Sequence, residues 1–131
     1  MSRIENFKDS EFNCRCGKCG RGVEYMDDYF LSILEKIRIE LDKPIRLTSA
    51  TRCQEHNNRV SNTYNSEHVA EHTHSGKTTA VDIATPDSKY RYELLELLFK
   101  YKVPRIGINF KKNFIHVGVS KNHPNPVVFS Y

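Results

Sequence analysis

No stretch of this 131-residue chain is apolar for long enough to cross a bilayer, although 38% of its residues are hydrophobic, and that excludes a spanning helix. No apolar export-signal core follows Met1, because residues 2–13 are mostly polar and charged. The expectation is synthesis in a cytoplasm, with any work beyond it needing another route out. Lys and Arg exceed Asp and Glu by 20 to 16, giving a net charge of +4, yet the basic residues form no contiguous run. No nucleic-acid-binding motif accompanies them, so they read as a solvated surface and no nucleic-acid partner is expected. Repeats and low-complexity segments are absent too. At this length residues 1–131 are expected to form one domain with a true core, and a monomer.

Cysteine is scarce, and three of the four lie together in Asn13-Cys14-Arg15-Cys16-Gly17-Lys18-Cys19-Gly20, the fourth being Cys53. Tight glycine turns between thiols suit a zinc knuckle or a disulfide-tied loop. If metal is bound, Cys14, Cys16 and Cys19 have only Cys53 to complete the set.

Residues 1–24 read as an irregular lead-in in which Phe7 and Phe12 pack. Phe30, Leu34, Ile37 and Leu41 then recur at helical spacing, opened by Asp27 and Asp28 and stopped by Asp42-Lys43-Pro44. A strand is expected over residues 45–49, and a short helix near Glu55 to Val60 within a polar, His- and Asn-rich loop spanning residues 54–76. Pro86-Asp87-Ser88 caps a second long helix carrying Leu94, Leu95, Leu98 and Tyr101. Residues 105–108 and 114–119 read as a hairpin, and residues 127–129 as a last strand. Helices falling between strand groups imply an α+β fold: a largely antiparallel sheet, two main helices and a long loop.

Two strand segments carry metal-capable side chains. In Thr79-Ala80-Val81-Asp82-Ile83-Ala84 and Phe114-Ile115-His116-Val117-Gly118-Val119, alternation turns Val81, Ile83, Ile115, Val117 and Val119 inward and sends Asp82 and His116 to the opposite face. The His-rich stretch holding His68, His72 and His74 can supply a third ligand. Two histidines, an aspartate and an open fourth position are what a catalytic zinc requires.

In order and at similar separations, several words resemble the zinc D-alanyl-D-alanine carboxypeptidase family of phage and bacterial peptidoglycan peptidases, whose fold is shared with the Hedgehog signalling domain. They are Phe12-Asn13-Cys14-Arg15-Cys16-Gly17, Met26-Asp27, Thr48-Ser49-Ala50-Thr51-Arg52-Cys53-Gln54-Glu55-His56-Asn57, Ser66-Glu67-His68, Ala80-Val81-Asp82-Ile83, Gly107-Ile108, Phe114-Ile115-His116-Val117, and Phe129 with Tyr131. The resemblance implies zinc held by His68, Asp82 and His116, with Arg52 near the substrate or the oxyanion and Ser66 lining the site. The implied substrate is the peptidoglycan stem peptide. By analogy, a phage or prophage origin is expected, with action on the wall after release or virion delivery.

Two departures from the family pattern matter. The first His and the Asp stand 82 − 68 = 14 positions apart rather than seven, so His72 or His74 could replace His68, although the spacing from Arg52, His56 and Val60 fits His68 without a gap. Relatives often carry a carboxylate two residues beyond the last His, where this chain has Gly118. No Asp or Glu occurs in residues 97–131. The expected base is therefore Glu67 or Glu71, with Glu55 more distant. The competing expectation, supported by Gly118, is a zinc-stabilised cell-wall or peptide-binding module that hydrolyses weakly or not at all. A metal-binding structural protein without a cell-wall role is a third.

Overall fold

The computed structural model describes residues 5–131, so the first four residues of the lead-in lie outside it. Three α-helices, α1 (Asp28–Leu41), α2 (Gln54–Val60) and α3 (Ser88–Lys100), accompany five strands. The strands are β1 (Leu47–Ser49), β2 (Ala80–Ala84), β3 (Arg105–Asn109), β4 (Phe114–Gly118) and β5 (Val127–Ser130), in the sheet order β1-β2-β4-β3-β5. Asp27 caps α1 by accepting from the Phe30 N–H at 2.9 Å, and Asp42 ends it with φ of 53°. Asp87 caps α3 in the same way through Tyr90.

The apolar stripes of α1 and α3 meet one face of the sheet. Phe30, Leu34, Ile37, Leu94 and Leu98 join Val81, Ile83, Ile106, Ile115 and Val117 in a single buried cluster, to which Phe7 and Phe12 also belong. This is the inward set the alternation predicts.

The sheet is mixed rather than antiparallel throughout. β1, β2, β4 and β3 pair antiparallel with their neighbours, but β5 runs parallel to β3. The connection explains this: Gly118 ends β4 opposite Arg105, and Val127 starts β5 opposite the same Arg105. The chain thus crosses the end of β3 and re-enters the sheet where it left. β5 is therefore antiparallel to β4 and parallel to the strand between them.

The register places one residue from each strand in a single row, Ser49–Asp82–His116–Gly107–Phe129. This row lies on the face away from the helices, and the loop over residues 61–79 folds across it. That loop contains a 3₁₀ turn at Ala70–His72 and is fastened by backbone bonds from Arg52 N to the His68 carbonyl (2.9 Å) and from Thr79 N to the Glu67 carbonyl (3.2 Å). The short helix expected near Glu55 to Val60 is α2, and the rest of the expected loop is a folded cover.

Candidate metal centre

Asp82 and His116 are directly paired across β2 and β4, with His116 Nδ1 3.1 Å from Asp82 Oδ1. His68 reaches the same oxygen from the loop, its Nε2 lying 3.3 Å away. All three side chains are buried. Their ligand atoms lie within 4.8 Å of one another.

His68 is aimed by its other nitrogen. Nδ1 sits 2.7 Å from the Ala50 carbonyl, which accepts its proton and leaves Nε2 bare. That Nε2 is buried without a hydrogen-bond partner, and burial holds the ring's pKa below its ordinary value. A bare imidazole nitrogen buried toward a carboxylate is costly unless something accepts its lone pair. A divalent cation does so: with bonds of about 2.0–2.1 Å, tetrahedral ligands stand about 3.3 Å apart, matching the observed 3.1 and 3.3 Å. The donor set fits zinc.

His72 and His74 face elsewhere. His72 Nε2 pairs with Gln54 Oε1 at 2.7 Å, and His74 Nδ1 accepts from Lys121 N at 3.0 Å. His123 bridges Ser120 Oγ and the Asn65 carbonyl as a turn residue.

Behind His116 lies Glu67. Its Oε2 is 2.5 Å from His116 Nε2 and accepts from Arg105 Nε at 2.7 Å, while Oε1 accepts from Ser120 N at 3.1 Å and from Thr79 Oγ1 at 3.4 Å. Burial opposes ionisation of Glu67, but these donors, His116 foremost, prevail and hold its carboxyl at about 2. Burial likewise opposes charge on His116, and bonds to Asp82 and Glu67 overcome it, raising the ring to about 9. Without metal, His116 is thus an imidazolium between two carboxylates. In the metal-free protein the stability contributed by Glu67 is complete above its ordinary value near 4.5 and lost as pH falls toward 2; that from His116 is complete below 6.5 and lost as pH rises through 9. Acid and alkaline unfolding of metal-free protein, followed by circular dichroism, should steepen in those windows, and Glu67→Gln should flatten the acid one.

Asp82 is fixed from the other side. Arg52 donates from Nη2 to Asp82 Oδ2 (3.4 Å), from Nε to Ser49 Oγ (3.0 Å) and from Nη1 to Asn57 Oδ1 (2.9 Å). Burial disfavours charge on Asp82, but His68 and His116 hold its carboxyl well below the usual carboxylate range. Of the five N–H donors on a guanidinium, two remain for another partner. Ser66 also lines the cleft, its Oγ accepting from His68 N at 3.2 Å.

Glu71 does not join them. It forms a two-pronged pair with Arg21 at 2.8 and 2.6 Å on the surface, and the cleft walls do not include it. Its expected role as base is corrected by that distant anchorage. Glu55 is exposed and paired with Lys18 and Arg59.

A cleft of about 640 Å³ opens over His68, Asp82 and His116, walled by Phe114, Phe129 and Tyr131 and by the cationic Arg15, Arg52, Arg105 and Lys112. The Phe129 ring packs 5.6 Å from His116, in space a side chain at Gly107 would fill: a Cβ there would stand 2.4 Å from the ring. Gly118 clears room for Glu67 in the same way, with a built Cβ 2.2 Å from Oε2. Reading the sequence missed Arg105 and the Ala50 carbonyl as parts of the site. Glycines inside two strands were the signal available for the close approaches.

The described segments agree with a family model for Peptidase M15, which matches residues 5–118. The chain belongs to the Peptidase M15 family. Neither a curated protein nor a solved structure matches it. Membership makes it a metallopeptidase by family, a hydrolase whose relatives depend on zinc. The matched span of this M15 chain holds the three candidate ligands, Arg52 and Glu67, whereas Ser120, His123 and the aromatic wall of Phe129 and Tyr131 lie beyond it.

Proposed function

We propose that this M15 protein is a zinc peptidase cleaving peptide bonds of the peptidoglycan stem beside a D-residue, as a D-Ala-D-Ala carboxypeptidase or an endolysin-type endopeptidase. The observation that carries this reading is the bare, buried Nε2 of His68 converging with Asp82 and His116 on the floor of an open cleft. Zinc, when bound, supplies Lewis acidity that polarises a carbonyl and acidifies water. The chain's own residues prepare that chemistry. Glu67 holds the proton of His116 on Nε2, leaving Nδ1 to face the metal position, and Arg105 holds Glu67. The two spare N–H groups of Arg52 suit a carbonyl oxygen or carboxylate of the substrate, and the cationic walls suit the carboxylates that stem peptides carry.

Because four donors occupy Glu67, it acts here as a positioning residue for His116 rather than as the free proton acceptor expected of it. Asp82, the other carboxylate of the cleft, is also engaged. Among the described residues no free side-chain carboxylate lines the cleft, and this favours the second reading, a zinc-loaded module that binds wall peptides with little or no hydrolysis. Incubating zinc-loaded protein with purified muropeptides decides between them. Release of free D-alanine or of a cross-bridge fragment supports the peptidase; binding without release, at full zinc occupancy, supports the module.

Arg52→Lys keeps the charge but cannot satisfy Ser49, Asn57 and Asp82 together. A loss of about 1–3 kcal/mol in unfolding free energy is expected, with zinc retained and muropeptide turnover or binding reduced about tenfold, roughly 1.4 kcal/mol. Denaturant titration and the muropeptide assay measure the two effects.

A further inference from the structure

The four cysteines form a second cluster, remote in chemistry from the cleft. Cys14, Cys16, Cys19 and Cys53 each offer a sulfur within 4.8 Å of the others, and none is paired in a disulfide. Cys14 and Cys53 stand 3.9 Å apart at Sγ. Four thiolates about 2.3 Å from a zinc ion lie about 3.8 Å from one another along a tetrahedral edge.

The backbone around each sulfur is arranged for negative charge. Cys53 N donates to Cys14 Sγ at 3.4 Å, Lys18 N and Cys19 N to Cys16 Sγ at 3.4 and 3.3 Å, Arg21 N to Cys19 Sγ at 3.4 Å, and His56 N to Cys53 Sγ at 3.4 Å. A neutral thiol is a weak acceptor, whereas a thiolate needs such donors. Gly17 and Gly20, the residues after Cys16 and Cys19, take φ of 75° and 77°, which turns the following N–H groups back toward sulfur. Arg15, Lys18 and Arg21 flank the thiols in sequence; Lys18 and Arg21 are paired with Glu55 and Glu71, and Arg15 has no carboxylate partner among the described residues.

From this geometry we infer that the four cysteines bind a structural zinc ion, separate from the His68–Asp82–His116 centre and closed to substrate because all four positions are protein thiolates. The ion ties the lead-in to the start of α2. Cys53 is both the α2 cap and the neighbour of Arg52, so the clip also steadies one wall of the cleft. This reading does not depend on what the other centre does.

Elemental analysis of zinc-reconstituted protein tests it. The intact chain should hold two zinc equivalents, His116→Ala one, and Cys16→Ser/Cys19→Ser one. Cobalt-substituted His116→Ala should show the intense thiolate-to-metal charge-transfer band, and Cys16→Ser alone should weaken it should the double variant not fold. Denatured, unreduced protein should titrate four thiols, and in the native zinc-loaded protein all four should be shielded until a chelator is added. A single equivalent in the intact chain that His116→Ala reduces to none would overturn the site. So would fewer than four thiols in the unreduced protein, which would mean a disulfide.

Discussion

His116→Ala is expected to empty the cleft centre of zinc and to lower any peptidase turnover by about 10³-fold or more, because it removes one of the three proposed protein ligands and the group that links Asp82 to Glu67. Asp82→Ala should do the same. The stability cost separates the two. His116→Ala leaves two buried carboxylates facing a void, and breaking a buried ion pair from one side costs about 3–5 kcal/mol. Asp82→Ala instead strands the buried Arg52 and removes the counter-charge of two imidazoles. His72→Ala and His74→Ala are the controls, since both side chains are committed to Gln54 and Lys121. Zinc counted per folded chain should stay unchanged in these and fall in the first two. Full occupancy in His116→Ala, or loss in His74→Ala, would show that the ligands are wrongly identified.

Gly118→Ala carries the next largest effect. A Cβ at this position would stand 2.2 Å from Glu67 Oε2 and 2.4 Å from Oε1, and the carboxylate cannot yield because Ser120, Thr79, Arg105 and His116 all hold it. A loss of about 2–4 kcal/mol is expected from overpacking and a disturbed buried pair. Zinc affinity should weaken about 10–100-fold as His116 loses its support. Denaturant titration and competition with a chelator read the two quantities. The family resemblance read from the sequence implies a carboxylate at this position of the strand, and here Glu67 brings one into the same space from the loop. Glu67→Ala with Gly118→Asp should therefore recover part of the zinc affinity that each change loses alone. Wild-type behaviour of Gly118→Ala, or a double variant no better than the sum of its parts, would refute the steric pairing.

Much of this was legible in the sequence because two periods dominate it. The 3.6-residue spacing of Phe30, Leu34, Ile37 and Leu41 and the two-residue alternation around Asp82 and His116 each reflect burial on one side, and both faces fell as the spacing requires. The direction of β5 was not legible, because it depends on where the chain crosses β3 rather than on the residues of β5. The loop histidines carry no period, so His68, His72 and His74 could be told apart only by what each one touches. Glu67 was visible as a carboxylate near the centre, but its engagement depends on Arg105, Gly118 and Ser120, which local spacing cannot connect to it. Glu71 looked equivalent on the page and differs through one distant arginine.

The pairing of β2 with β4 has a consequence for how such a chain can change over time. Shifting β2 by a single residue would bring Val81 or Ile83 to the cleft and drive Asp82 among the leucines of the helices, and shifting β4 would do the same with Ile115 or Val117 and His116. Errors in alignment are thereby eliminated by the same contacts that build the interior. Insertions and deletions have room in the covering loop between Arg52 and Asp82, and almost none within either strand.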